Sequence, residues 1–427
     1  MNRRAFLLGL FVSSLSFSVE RHGLEDFVKM ALEQGDALKI QEAQLKFAEA
    51  REDWAQSKRW FEGSLEALLG PAPAASGNAI SSSTDWSNWG GFVATQIEIK
   101  QPVYTFGAIR SGIEAAKKGV EAEKLLLESE KWKIRSDIVE LYYGYQLAFE
   151  LSQLGEDIVK KLQQAKSQSR GDSRQELIMA LADMESKTEL AKKSKEQARL
   201  AMGWRTHSPV DENLFWDQSN LKKRAFQPLK LEAYKSLLQT HRPEWQALEA
   251  EYMAKKELSD VEEALSLPMV FLYAQGQYRW ADHRKNSSTG PFSYDPSNLS
   301  SGVVGVGIKW DLDVSQKSAK RAQARAEYLK SGAKKSHYQR AMQVEMEKAY
   351  GDLEVREKSL KLYEEASEIA TKRYQDALVA YGLKNLSGKK LLEKMAQYGK
   401  LRKDYLESLY HYNLATHKLE QTVGSRE

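Results

Sequence analysis

Residues 108–166 read AIRSGIEAAKKGVEAEKLLLESEKWKIRSDIVELYYGYQLAFELSQLGEDIVKKLQQAK, with no proline anywhere in the stretch. Ile113, Val120, Leu127, Ile134, Leu141 and Ala148 fall at steps of seven. They therefore stack along one seam of a helix and mark a coiled-coil-like contact. A helix of roughly 60 residues at ~1.5 Å each would be about 90 Å long, far beyond globular norms. The signature returns downstream: Met346, Leu353 and Leu360 carry one series, with Met342, Ala349, Tyr363, Ala370 and Ala377 in a companion row. Past a break near Gly382, the series Leu391, Tyr398, Tyr405, Tyr412 and Leu419 continues with Met395, Leu409 and Val423 beside it. Two long helices joined at Tyr381-Gly382 make an antiparallel hairpin.

Strand-period segments precede each long helix. Val304, Val306, Ile308, Trp310 and Leu312 alternate with Gly305, Gly307, Lys309, Asp311 and Asp313, which places apolar groups on one face and polar or small ones on the other. Val93, Ile97 and Ile99 alternate with Gln96, Glu98 and Lys100; the earlier partners are Phe61 to Leu69 and the aromatic-rich Met269 to Trp280. Gly70 to Gly90 and Ala281 to Ser301, with their prolines, serines and asparagines, are expected to be turn-type loops within each pair. The chain reads as a duplication of helix, strand, loop, strand, long helix, tip and return helix. Its expected parts are a leader at 1–18, a first repeat at 19–204, a spacer of short helices at 205–240 and a second repeat at 241–427. Four strands cannot close a membrane barrel alone, since the smallest have ~8, so membrane insertion would require oligomerisation.

Composition bounds the function. Of 427 residues, 29% are charged, and the formal charge is +4. Without Arg3 and Arg4 of the leader, 61 basic residues face 59 acidic ones, or +2; such balance argues against nucleic-acid binding. With mean hydropathy −0.58, the chain is too polar for a bundle of membrane-spanning helices. It has no cysteine, which excludes disulfides, thiolate metal sites, thiol nucleophiles and an acylated lipoprotein terminus. Met1-Asn2-Arg3-Arg4, the apolar run Ala5 to Phe17 and small residues at Ser16 and Ser18 describe an export signal cleaved after Ser18. The run is shorter than the ~18–20 residues of a bilayer span. Asn2 to Leu7 also resembles a twin-arginine signal, so the export route stays open.

Several motifs carry a family resemblance. Arg242-Pro243-Glu244-Trp245, followed by Ala250, Ala254 and the strand starting at Pro268, resembles the Arg-Pro-Asp/Glu helix start and Pro-led strand of TolC-like outer-membrane efflux proteins. Gln101-Pro102-Val103-Tyr104-Thr105-Phe106-Gly107 is similar to that family's strand-to-helix junction, and Tyr143-Gly144 and Tyr350-Gly351 to its alanine-tyrosine site midway along the long helices. Proline at a helix start lacks the N–H that would be unsatisfied there, and glycine at a junction permits a sharp change of direction.

The resemblance spans Leu24 to Gly424. It implies an α+β fold of long antiparallel coiled-coil hairpins forming a periplasmic α-barrel, with four strands per chain contributing to a trimeric twelve-stranded transmembrane β-barrel. It implies a homotrimer in the outer membrane with a large periplasmic portion, in contact with outer-membrane lipid. It also implies a periplasmic adaptor (membrane fusion) protein and an inner-membrane pump of the RND, ABC or MFS type as partners, and no cofactor. The second junction, Asp311-Leu312-Asp313-Val314, lacks the usual proline, and a C-terminal equatorial extension is not expected after Gly424.

At the periplasmic aperture the resemblance points to Gly171 and Glu176 of the first tip and to Gly382, Lys389, Lys390 and Glu393 of the second. The family's Asp-Leu-Leu-Asp-Ala segment corresponds here to Lys390-Leu391-Leu392-Glu393-Lys394, allowing a two-residue insertion. A lysine thus stands where the leading acid would be. Lys389 and Lys390 either form a basic ring around the pore or face water or an adaptor. Hairpin lengths give a further expectation. Tyr143 to Gly203 spans 203 − 143 = 60 positions and Tyr350 to Gly424 spans 424 − 350 = 74, so the first tip is expected to sit about one heptad above the second.

Catalysis finds little support. His411 and His417 are six apart and do not share a helix face as a metal pair would. Gly305-Val306-Gly307 lies inside a strand pattern and does not open a helix, which argues against a phosphate loop. The remaining competitor is a soluble periplasmic coiled-coil adaptor or scaffold, which would not normally carry two strand pairs at equivalent places in two repeats.

Overall fold

The computed structural model describes residues 23–77, 82–207, 221–286 and 298–425. The expected leader, Pro209 of the spacer and Pro291 and Pro296 of the second loop lie outside the described residues. In chain order the elements are α1 (Leu24–Gln34), α2 (Asp36–Ser57), β1 (Glu62–Gly77), β2 (Ser82–Tyr104), α3 (Ala108–Gln168) and α4 (Asp172–Thr206). They continue with α5 (Leu231–His241), α6 (Pro243–Ala264), β3 (Met269–Ala281), the three-residue β4 (Arg284–Asn286), β5 (Leu299–Lys309), α7 (Val314–Gly382) and α8 (Gly388–Val423). The order helix, strand pair, long helix, return helix occurs twice.

The residues form two compact units, each drawn from both halves of the chain. One unit comprises Met1–Lys39, Ser129–Arg242 and Gln343–Glu427 and is helical. The seven-step rows are its core: Met346, Leu353 and Leu360, then Leu391, Tyr412 and Leu419, are almost fully buried. Near the hairpin ends, Ile158 and Leu162 of α3, Leu177 and Leu181 of α4, Tyr374 and Ala377 of α7, and Leu391 and Met395 of α8 form one cluster. Both hairpins therefore pack side by side through heptad positions. Burial pushes the Tyr374 hydroxyl up to about 12, and its ring stacks on Tyr398 at 4.6 Å.

The helix pairings correct the expected offset of the tips. Ser136 bonds Gln421, and a Cβ on Gly399 would sit 3.1 Å from Ile158. The two contacts are 22 positions apart on either helix (158 − 136 and 421 − 399). Eleven positions further, Gly388 lies against Ser169 and Ser173, and the Tyr381 and Ser169 hydroxyls are 3.0 Å apart. The tips are level. The landmarks misled: Tyr374 stacks on Tyr398, which puts Tyr350 opposite residue 422 and hence level with residues 135–136 of α3. Tyr143 lies a heptad nearer its tip, so the difference of 14 measures the offset of the landmarks and not of the hairpins.

The second unit comprises Ile40–Glu128 and Pro243–Met342 and holds the sheet, in the order β4-β1-β2-β3-β5. The long strands pair antiparallel, with Leu65 opposite Ile97, Ile97 opposite Gly276 and Gly276 opposite Gly302. Two expectations are corrected here. Gly70 to Gly90 is mostly strand, because β1 runs to Gly77 and β2 starts at Ser82. Pro71 and Pro73 are accommodated because β1 bonds a partner on the β2 side while its other side is open at those positions, and the register shifts just after Pro73. Conversely β5 ends at Lys309, so Trp310 to Asp313 are not strand. Four helical segments follow the strand order. Gln41 of α2 bonds Glu123 of α3, Gly112 of α3 approaches Val261 of α6, and Tyr252 of α6 bonds Tyr328 of α7 at 2.6 Å.

Candidate functional site

Antiparallel registers put laterally paired residues on one face. On one face of the sheet lie Leu65, Ala67 and Leu69 of β1, Val93, Ile97 and Ile99 of β2, Leu272, Tyr278 and Trp280 of β3, and Val304, Val306 and Ile308 of β5. Most of these side chains stand open, Val304 at 82% and Leu69 at 74% exposure, while Val93 and Ile99 are half-buried. The other face carries Glu66, Gln96, Glu98, Lys100, Gln275, Gln277, Arg279 and Ser301, with Lys100 paired to Glu98. There Gly307 has no room for a side chain, because a Cβ would meet the Phe271 ring at 2.4 Å.

Exposed aromatics mark both ends of the apolar face. Trp86 and Trp89, in edge contact at 6.0 Å, stand with Trp280 near the hairpin end, and Trp60, Phe61, Tyr104, Phe106 and Trp310 stand near the helices. An apolar band between aromatic girdles, backed by a polar face, is the pattern of a lipid-facing barrel wall. The polar face opens onto a concavity of about 1440 Å³ lined by Glu62, Lys100 and Phe271 of the sheet and by Arg51 of α2, Gly112, Ala115 and Gly119 of α3 and Lys255 of α6. No helix among the described residues is long and apolar enough to cross a membrane. Among the described residues no cluster of His, Asp or Glu could hold a metal ion.

At the first junction, the Gln101 side-chain amide donates to the carbonyls of Arg59 (2.7 Å) and Pro102 (3.1 Å), tying the entry to β1 to the exit of β2. Phe106 and Gly107 both take positive φ, 51° and 94°. Glycine tolerates this at no steric cost, and it turns the chain into α3, whose first amide donates to the Thr105 carbonyl at 3.0 Å. The second-repeat helix start is equally specific. Pro243 opens α6 and Glu244 lies in its first turn. Buried Arg242 donates to the Thr422 carbonyl (3.2 Å) and to Glu345 (2.9 Å). Burial alone would raise the Glu345 carboxyl, but Arg242 and Lys418 outweigh it and hold it below the usual range.

At the tips, Ser387 caps α8 by accepting from the Lys390 amide. Gly382 closes α7, Gly171 precedes α4 with φ 63°, and Glu176 is half-buried on the first turns of α4. Lys389, Lys390 and Glu393 are exposed, and among the described residues no opposite charge lies within ion-pair distance of either lysine. Leu391 is buried in the four-helix cluster and Leu392 packs against it.

One cluster escaped the sequence reading. Arg224 makes a bidentate pair with Glu420 at 2.7–2.8 Å, and Asn413 accepts from the Arg224 amide (3.0 Å) and donates to the Lys222 carbonyl (2.8 Å). Burial holds His417 below its ordinary value. Burial would raise Glu420, yet the His417 and Arg224 hydrogen bonds outweigh it and leave the carboxyl lowered. A legible signal existed: Leu406, Asn413 and Glu420 form a seven-step row whose last two members are polar.

The described residues thus hold, in one unit, a sheet with one largely apolar face and, in the other, paired coiled-coil hairpins. Residues 234–424 match the family model described as outer membrane efflux protein. The fold is shared with solved outer-membrane channels at low identity. OprN has a TM-score of 0.78 at 16% identity, covering 94% of this chain and 90% of that one. CmeC of Campylobacter jejuni has 0.75 at 14%, covering 99% and 93%, and the open state of MtrE of Neisseria gonorrhoeae has 0.78 at 14%, covering 94% and 89%. No curated protein sequence matches.

Proposed function

We propose that three copies of this chain close a twelve-stranded outer-membrane barrel continuous with a periplasmic helical tunnel, a conduit without enzymatic activity. The observation that carries this reading is the largely apolar face shared by β1, β2, β3 and β5. In lipid, an open sheet edge leaves backbone groups unsatisfied, so closure by partner copies is required. The polar face and its concavity then become the wall of the conduit. A periplasmic adaptor and an inner-membrane pump are the partners this reading assigns to the hairpin tips. The expected result is a detergent-resistant trimer in the outer-membrane fraction; recovery of the mature protein from the soluble periplasm, or as a monodisperse monomer in detergent, overturns it.

We assign Gly171 and Glu176 of the first tip and Gly382, Lys389, Lys390 and Glu393 of the second to the periplasmic aperture; the approach of Gly388 to Ser169 and Ser173, which sets the tips level, supports this. Charged rings in a narrow pore bias which ions pass, because they act close to the permeating ion with little screening. Changing Lys389 and Lys390 to glutamate is expected to increase cation selectivity in planar bilayers. Reversal potentials that coincide for the two channels across salt gradients would show that the lysines face away from the pore.

A further inference from the structure

We propose that the concavity on the polar side of the sheet is a transit site for organic anions that carry a flat apolar body. The inference deepens the channel reading, on which it rests, by naming the class of cargo that this stretch of wall holds.

Six cations and four carboxylates line the concavity. Every one of those carboxylates is already engaged. Lys58 meets Glu62 at 2.7 Å, Gln41 donates to Glu123 at 2.9 Å, Lys334 reaches Glu251 at 3.0 Å and Lys309 stands 3.8 Å from Asp311. Two of the remaining cations are paired as well, Lys100 with Glu98 and Lys255 with Glu327 at 3.8 Å. Arg51 and Lys317 are left over: among the described residues, no carboxylate lies within ion-pair distance of either. Arg51 is exposed on α2 and Lys317 half-buried on the first turn of α7. Because α3 and α6 lie between those two helices, the surplus charge stands on both flanks of the hollow.

Between the flanks the floor is apolar. α3 presents Gly112, Ala115, Ala116 and Gly119 to the hollow, and α6 presents Ala254 and Leu258. The four on α3 recur at helical spacing and form one stripe without bulk, and a Cβ on Gly119 would meet nothing within 4 Å. Trp54 and Phe271 also line the hollow, and aromatic faces are surfaces on which a planar body stacks. Apolar surface with a few placed charges is the usual make-up of a small-molecule site. The volume of about 1440 Å³ exceeds the ~300–1000 Å³ of sites that enclose drug-sized ligands, so an occupant is held by one charged end and one flat face, with water around the rest. That suits a conduit, where binding must admit a solute and still release it. A cation with the same body gains the floor but finds every lining carboxylate engaged. An inorganic anion gains the charge but not the floor.

The test titrates the assembled protein in lipid nanodiscs by calorimetry, with empty nanodiscs as the blank. Naphthalene-2-sulfonate is expected to bind saturably. Methanesulfonate, which lacks the apolar body, and 2-naphthyltrimethylammonium, which reverses the charge, are each expected to bind about tenfold more weakly or worse, the worth of one charge-assisted contact or one buried ring face. Arg51→Gln/Lys317→Gln is expected to weaken naphthalene-2-sulfonate by a similar factor, about tenfold, and added salt to weaken it in the parent. Gly119→Phe, which fills open space on the floor, is expected to abolish binding while the oligomer still forms. Oligomers that conduct in planar bilayers but bind the naphthyl anion and cation equally, bind methanesulfonate as tightly, or bind none of the three, overturn the site and leave the channel reading standing. Undiminished binding by both variants overturns it equally. A chain that forms no membrane oligomer sinks the channel reading and the site with it.

Discussion

Arginine at Val304 should remove most of the assembled channel, while arginine at the adjacent Val303 should leave it nearly intact. The two residues are neighbours on β5 and point to opposite faces. Val304 lies opposite Ala274, which lies opposite Ile99, in the middle of the apolar band; Val303 lies opposite Gln275, which lies opposite Glu98, on the polar wall. Arginine on the lipid side near the bilayer midplane costs about 2–4 kcal/mol, falling towards zero at the interfaces. Three copies would multiply the effect in a closed trimer. The same side chain on the water side adds a charge to a wall that already carries Lys100 and Arg279. The check is the amount of heat-modifiable oligomer in outer membranes, or the folding midpoint in urea with lipid vesicles. Equal losses for the two variants would mean that both faces of the sheet meet the same environment, and the lipid face would be misassigned.

Periodicity made both element types legible. Seven-step rows on α3, α7 and α8 emerged as buried seams, because heptad spacing has one physical outcome when the helices are long and proline-free. Strand boundaries were harder to read. Pro71, Pro73 and the serines around them have turn composition, yet they lie on strand because at the two prolines β1 is paired only on its β2 side, and its other side demands no donor. Trp310 and Leu312 kept the alternation of β5 beyond its end, where the girdle needs apolar side chains in any backbone conformation. The level tips could not be read from spacing, since matching Tyr143 to Tyr350 presumed an alignment that only the cross-helix contacts decide. The cluster at Glu420 was hidden for a different reason: Arg224 comes from an irregular segment 196 residues away in the chain, and no local pattern anticipates its partner.

That cluster carries the second large effect. Glu420 has a side chain only 4% exposed and Arg224 one 30% exposed, so truncating either leaves its partner uncompensated within protein. Breaking a buried pair from one side costs about 3–5 kcal/mol, and the partial access of Arg224 to water places Glu420→Ala near the lower end, about 3 kcal/mol. Replacing both, as Arg224→Met with Glu420→Leu, should cost far less, because apolar packing removes the desolvation penalty together with the attraction. Acid should act on the same place in two stages. His417 is held below its ordinary value, so under pH ~6.5 the unfolded chain takes up the proton first and stability falls as pH drops through that window. Glu420 is also held low, so the stability it contributes is fully present above the ordinary carboxylate value of ~4.3 and is lost as pH falls through its folded value. Helical unfolding followed by circular dichroism in detergent from pH 8 to 4 should therefore show a decline that begins near 6.5 and steepens below 4.5. The His417→Gln variant should shrink the first stage, leaving the share of His411, which burial also holds low, and keep the second. A wild-type profile that is flat between pH 7 and 5, or a Glu420→Ala protein as stable as the parent, would remove the cluster from any role in holding residues 221–230 against α8.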